Sequence, residues 1–294
     1  MHGGAWAFIG KVAIAFMGLL LMGLLTRLLT PAEMGVYFLA YNLATFISII
    51  GRAGLENTLL RFIAQAISLG QAGRARDILR KGSVLVIAGA VFAALVAVFL
   101  VPWVGINLFH SEVLTGIVWF IAVWSALLAV QFVAGEVFRG FQEIRGTIVF
   151  GGLLTALFSV LLLSFFVWVG VPLSLQPVLF LVVMALILSN GLALYTLNRR
   201  TQKLPHSNGD AVQYGELIGH SWPLLINAIT LFLLSQSDLW LLAAYASEKD
   251  LAVYGAARRL VLLTAMSLSI VNAVVPPLIV RLQVQEDIRR LERL

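Results

Sequence analysis

Eight long apolar runs, separated by short polar gaps, make up most of this 294-residue chain. A helix needs about 20 mostly apolar residues to cross roughly 30 Å of hydrocarbon. On that measure the runs predict spans near Trp6–Leu28, Val36–Leu60, Ser83–Val101, Leu114–Phe138, Ile148–Val169, Leu175–Asn198, Leu217–Tyr245 and Leu251–Ile279. The first run exceeds the about 7–15 apolar residues of a secretory signal, so it is expected to stay in the membrane. The predicted class is an all-α polytopic membrane protein with about eight transmembrane helices.

The gaps alternate in charge. One set holds Arg61, Arg74, Arg76, Arg80 and Lys81, then Arg139 and Arg145, then Arg199, Arg200 and Lys203, and finally Arg281, Arg289, Arg290 and Arg293. The other set holds only Arg27 and Lys249. Cytoplasmic loops carry the excess of lysine and arginine, so both termini are expected in the cytoplasm of a multi-pass protein of the bacterial inner membrane. The turns Thr30–Gly35, Pro102–Val113, Gly170–Ser174 and Ala246–Asp250 are expected to face outward. Within the basic set, Ala64–Lys81 alternates apolar and basic positions and predicts a short amphipathic helix at the interface. Thr201–Gln213, with Pro205, Asn208 and Gly209, predicts a linker. The organisation expected is a six-helix bundle over 1–200, a cytoplasmic linker over 201–216 and a second transmembrane segment over 217–294.

Composition agrees with this reading and excludes others. The chain is 61% hydrophobic and 12% charged, with a mean hydropathy of +0.98, too little charge to cover a soluble globule. Its net charge of +6 does not point to nucleic acid, because the arginines border apolar runs instead of gathering on a polar module. With no cysteine and four scattered histidines, thiolate metal sites and cysteine catalysis are excluded, and no metal or other cofactor is expected. Nothing resembles a glycine-rich nucleotide loop with its lysine, and the short outer turns are thin for an enzyme.

One stretch recurs. Leu29–Leu43, LTPAEMGVYFLAYNL, is similar to Ala246–Leu260, ASEKDLAVYGAARRL, at a constant offset of 217 residues. Val36-Tyr37 aligns with Val253-Tyr254, Ala40 with Ala257 and Leu43 with Leu260. Each copy joins one span to the next on the same side of the membrane, which predicts a parallel repeat. If the first half has six spans, the second is expected to continue beyond two, so the C-terminal part looks incomplete.

Arg27 followed by Leu28-Leu29-Thr30-Pro31-Ala32-Glu33-Met34-Gly35-Val36-Tyr37, then Gly51–Arg61 (GRAGLENTLLR), the connection Gly70–Lys81, and Asp238 with Val253-Tyr254-Gly255-Ala256-Ala257 together resemble one known group. They are similar to the polysaccharide biosynthesis proteins, O-antigen-type lipid-linked oligosaccharide flippases of the multidrug/oligosaccharidyl-lipid/polysaccharide exporter superfamily. The resemblance runs from Trp6 to Leu294. It implies flipping of undecaprenyl-diphosphate-linked oligosaccharide from the cytoplasmic to the periplasmic leaflet, with membrane lipids, a coupling ion and other polysaccharide assembly proteins as partners. Family members usually have 12 to 14 spans, so this chain apparently lacks the C-terminal ones. The alternatives are a multidrug/cation antiporter of the same superfamily and a truncated, non-transporting membrane protein.

Charges inside spans are costly, and each marks a functional candidate. Arginine grips phosphate oxygens bidentately and stays ionised. Arg52, Arg258, Arg259, Arg27 and Lys11 are therefore the candidates for substrate binding, and Asp238 and Glu56 for ion coupling. Competing readings stand beside each. Arg52 and Glu56 share a helical face and can form a structural pair. Asp238 can pair with Arg258 or Arg259, Arg27 can anchor at the interface near Glu33, and Lys11 can reach headgroups. Asn190, Asn198, Asn227 and Asn272 are expected to make interhelical hydrogen bonds, while Trp6, Trp103 and Tyr37 are expected in an interfacial aromatic belt.

Overall fold

The computed structural model describes residues 2–205, 212–258 and 260–261. Within a membrane every backbone N–H and C=O must find an internal partner, so apolar runs of this length fold as helices. The elements are α1 (His2–Leu28), α2 (Pro31–Arg52), α3 (Leu55–Ser68), α4 (Ala72–Asn107), α5 (Glu112–Gly116), α6 (Val118–Gly140), α7 (Ile144–Ile148), a π-helical turn at Val149–Leu153, α8 (Leu154–Trp168), α9 (Leu175–Lys203) and α10 (Tyr214–Tyr245). Residues 248–258 are also helical. Seven helical stretches among the described residues are long and apolar enough to cross a membrane. Most of the eighth predicted span lies outside the described residues, as do Asn208 and Gly209 of the linker.

The chain divides into two compact units, Met1–Ala252 and Val253–Leu294. In the first, α2 and α6 form the centre. Helix α6 packs on α2, α3, α4 and α9, α2 packs on α4 and α10, and α1 packs on α7 and α8. The core at one end joins Tyr37, Leu43 and Ile47 of α2 with Ala97 of α4, Trp124 of α6 and Leu179 of α9. Tyr37 is buried there, its ring 5.7 Å from that of Trp124. The expected belt position for Tyr37 is therefore corrected: its ring fills the bundle. Trp103, by contrast, is exposed.

Close helix approach depends on small residues. A Cβ at Gly51 of α2 would lie 2.7 Å from the Gly89 carbonyl oxygen and 2.6 Å from the Ala93 Cβ of α4. Both glycines are needed for the two backbones to touch.

Two expected elements are redrawn. The second span was expected unbroken from Val36 to Leu60, but α2 ends at Arg52 and α3 begins at Leu55. Ala53 and Gly54 between them are left-handed, at φ 50° and 77°. The cause is tertiary. A Cβ at Gly54 would overlap the Ser221 carbonyl oxygen of α10, so α10 seats directly on the break. The Ser221 and Thr58 hydroxyls meet there at 2.8 Å.

The interfacial helix expected over Ala64–Lys81 is not a separate element. A Schellman turn ends α3, with the Gly70 N–H donating to Ile67 and the Gln71 N–H to Ala66, and Gly70 at φ 70°. Residues 72–81 are instead the first turns of α4. The helix continues past Lys81 and through Pro102 to Asn107, 36 residues from Ala72, about 54 Å at 1.5 Å per residue. That exceeds the hydrocarbon thickness and carries its basic turns beyond it.

Among the described residues, contacts join gaps of the same predicted set at each end of the bundle. At one end, Glu33 Oε1 accepts from the Leu175 N–H at 3.1 Å, and the Ser111 hydroxyl donates to Glu248 at 3.0 Å. At the other, Lys81 Nζ donates to the Val212 carbonyl, Arg76 donates to the Leu204 carbonyl at 2.8 Å, and Arg200 pairs with Glu143. These contacts tie each charge class into its own cap.

The recurrent stretch is also structural. Thr30 and Glu33 form a capping box at the start of α2. Ser247 and Asp250, 217 residues later, exchange the same bonds.

Candidate functional site

Helix α2 delivers Arg52 to the interior at its last residue, and the left-handed turn lets α3 place Glu56 beside it. Arg52 Nε lies 3.5 Å from Glu56 Oε1, with the side chains 11% and 8% exposed. The guanidinium sits over the Phe132 ring of α6, 4.3 Å from its centroid, a cation–π contact. Glu136, one turn along α6, is the second carboxylate in its field. Arg52 Nε and Glu56 Oε2 are buried with no hydrogen-bond partner among the described residues. A buried charge pair of this kind holds hydrogen-bonding capacity that a charged ligand can take up.

One helical turn beyond Glu56, Leu59 begins a cavity of about 710 Å³ at the basic end, between α3, α4, α6 and α9. Its buried lining is apolar, formed among others by Val86, Val133, Ala134 and Val137. Its mouth carries Arg76 and Arg80 from α4, and Asn198 and Gln202 from α9. The volume lies within the about 300–1,000 Å³ of ordinary ligand pockets.

Helices α2 and α10 meet around a further polar centre. Asn42 Nδ2 donates to Gln236 Oε1 at 2.8 Å, and Trp240 Nε1 donates to Asn42 Oδ1 at 2.9 Å. The rings of Phe46, Phe232 and Trp240 pack beside it. Asn190 does make an interhelical bond, its Nδ2 donating to the Leu127 carbonyl at 3.0 Å. Asn272 lies outside the described residues.

The other sequence-derived candidates lie on α1, on α10 and in the second unit. Lys11 and Arg27 are exposed on α1, and neither forms an ion pair among the described residues. The carboxylate of Glu33, the expected neighbour of Arg27, is taken by Thr30 and the Leu175 amide. Asp238 is exposed on α10, and Arg258 is half-buried in the second unit. Arg259 lies outside the described residues.

Sequence reasoning missed the cavity and the Asn42 centre. Helical spacing offered a signal for both, since Arg76 and Arg80, Asn198 and Gln202, and Gln236 and Trp240 are each four residues apart. Nothing local showed which helices would face one another.

The profile of the polysaccharide biosynthesis proteins matches residues 1–283. The chain belongs to this family. No curated protein matches it in sequence, but solved structures share its fold. One, described as protein A, superposes with a TM-score of 0.72 at 16% identity over 94% of this chain and 64% of its own. Another is the MATE multidrug transporter DinF-BH in complex with rhodamine 6G, with a TM-score of 0.70 at 15% identity over 92% of this chain and 62% of its own. The chain thus spans less than two thirds of the length of either neighbour. The family resemblance read from the sequence and the multi-pass helical class are both borne out.

Proposed function

We propose that this polysaccharide biosynthesis protein is a non-enzymatic carrier that translocates undecaprenyl-diphosphate-linked oligosaccharide across the bacterial inner membrane. The observation that supports this most is Arg52, a guanidinium held inside an apolar bundle at the break between α2 and α3. A diphosphate can take the place of Glu56 at such a site, because it offers negative charge with more acceptor oxygens. Glu56, the carboxylate that holds Arg52 in place, is the candidate for ion coupling. Arg27, Lys11, Arg258 and Arg259 remain secondary candidates for the headgroup path, and Asp238 for the coupling ion. The excess of basic residues in alternate gaps supports cytoplasmic termini. Other polysaccharide assembly proteins are the expected partners, and the 217–294 segment is the expected start of a second repeat.

The test uses proteoliposomes holding the full 294-residue chain and a fluorescent polyprenyl-diphosphate glycan, with translocation read by an impermeant quencher. Arg52→Gln is expected to cut the initial rate about tenfold or more, with Arg52→Lys retaining part of it. Equal rates in wild type, Arg52→Gln and empty vesicles would sink the proposal.

The fold shared with DinF-BH favours a second reading, multidrug/cation antiport. It predicts efflux of the same rhodamine dye from these vesicles, with no response to Arg52→Gln.

A further inference from the structure

Helix α10 lies across the gap between α2 and α3 like a splint. Its buried residues Leu217, Ser221 and Leu225 recur at every fourth position and so share one face. Leu217 belongs to a buried cluster with Leu55 and Leu59 of α3. Leu225 belongs to another with Ile49 of α2, and Ala53 packs against it. Between the two, the Ser221 carbonyl fills the space of a Gly54 side chain, and the Leu225 nitrogen lies 2.9 Å from that position. One helix therefore grips both sides of the break and the break itself.

A buried hydrogen-bond chain follows the same line. The Ser221 hydroxyl donates to Thr58 Oγ1 at 2.8 Å, and the Thr58 hydroxyl donates to the Gly54 carbonyl at 3.2 Å. Ala53, at φ 50°, holds a conformation that L residues rarely adopt. Such a conformation persists only where the surroundings over-determine it, and here α10 supplies them. Pro223 has no N–H for the Gly219 carbonyl, so α10 is weakest beside its own seat.

The break also separates the two members of the buried ion pair. Arg52 is the last residue of α2, and Glu56 lies in the first turn of α3. Helix α2 is fixed against α4 at Gly51 and Gly89, while α3 is fixed against α6 where Gly140 leaves room for Ile63. Each side chain follows its own helix, and the geometry at Ala53–Gly54 sets how Glu56 meets Arg52.

We propose that residues 217–225 of α10 position the Arg52–Glu56 pair, and that displacement of α10 opens it. Ser221 and Thr58 are the positioning residues, acting through the break. The consequence for transport rests on Arg52 binding the headgroup; the positioning rests on packing alone.

The full chain, isotope-labelled at arginine, is placed in nanodiscs without substrate, and the Arg52 Nε–H resonance is identified by its loss in Arg52→Lys. Thr58→Val and Ser221→Ala are each expected to shift that resonance, and Thr58→Ser to restore it. Asn190→Ala, which removes a buried bond between α9 and α6, is expected to leave it in place. A resonance unmoved by both seat variants, or moved as far by Asn190→Ala, would overturn the proposal. The chain has no cysteine, so Thr58→Cys with Ser221→Cys gives one thiol pair that oxidation can bridge and reduction free. One sample is compared with itself, so a folding defect cannot mimic the result. The bridged form is expected to lose translocation in the proteoliposome assay and to regain it on reduction. Equal rates in the two states would overturn the proposed opening. A resonance that moves while Arg52→Gln translocates normally would end the headgroup reading and uphold the positioning.

Discussion

The Ser247 hydroxyl donates to the Asp250 carboxylate at 2.6 Å and accepts from the Asp250 N–H at 3.3 Å. Thr30 and Glu33 exchange the same two bonds at 2.9 and 3.3 Å, 217 residues earlier. Each box satisfies backbone donors that an α-helix start leaves open. The sequence similarity between these stretches thus has a shared physical cause, two helices launched from the same kind of turn.

These hydrogen bonds, the hydroxyl of Ser247 first, hold the Asp250 carboxyl below its ordinary value. A carboxylate depressed in the folded state contributes stability above its unfolded pKa, and the contribution is lost as pH falls through the folded value. Ser247→Ala is expected to raise the Asp250 pKa toward the ordinary carboxylate range, read by carboxyl carbon NMR across a titration. An unmoved titration would show that the box does not control this group.

Asn42 joins α10 through both ends of its amide. Interhelical polar contacts in membranes are worth about 0.6–2 kcal/mol. Asn42→Ala and Trp240→Phe are each expected to lower the unfolding free energy by about that much. The two losses should be less than additive, because both remove the same bond. Full additivity in a denaturant titration would exclude a coupling between these residues.

At Gly51 there is no room for a methyl group, because the Gly89 carbonyl and the Ala93 side chain already occupy the space. Gly51→Ala is expected to destabilise by about 1–3 kcal/mol through overpacking, and Gly51→Leu more. Thermal melts in detergent would read the effect. Gly18→Ala is the control, since a Cβ there meets nothing within 4 Å.

Removing one partner of a buried ion pair costs about 3–5 kcal/mol, because the other charge is left alone. Arg52→Met and Glu56→Gln are therefore each expected to destabilise strongly, while the double variant regains part of the loss. A double variant as unstable as the sum of the two would show that Arg52 and Glu56 act separately.

Much of the architecture was legible along the chain. An apolar run of span length can only be a helix in hydrocarbon, so the number and order of the spans through α10 followed from hydropathy alone. The family resemblance rested on segments whose residues act locally: Thr30 and Glu33 cap a helix, and Gly51 thins one face of it. The charge alternation likewise foretold which turns share an end, because membrane proteins sort basic loops to one side.

What the sequence could not contain was the choice of neighbours. The break at Ala53–Gly54 is decided by α10, whose Ser221 carbonyl occupies the place of a side chain. Glu33 reads as a possible partner for Arg27 along the chain, yet it bonds Leu175 across 142 residues. The cleft exists only because Arg76 and Arg80 on α4 face Asn198 and Gln202 on α9. Hydropathy specifies that a face is oily, and many helix faces here are equally so. Only packing, where small residues, buried amides and one ion pair fit in a single arrangement, determines which of those faces meet.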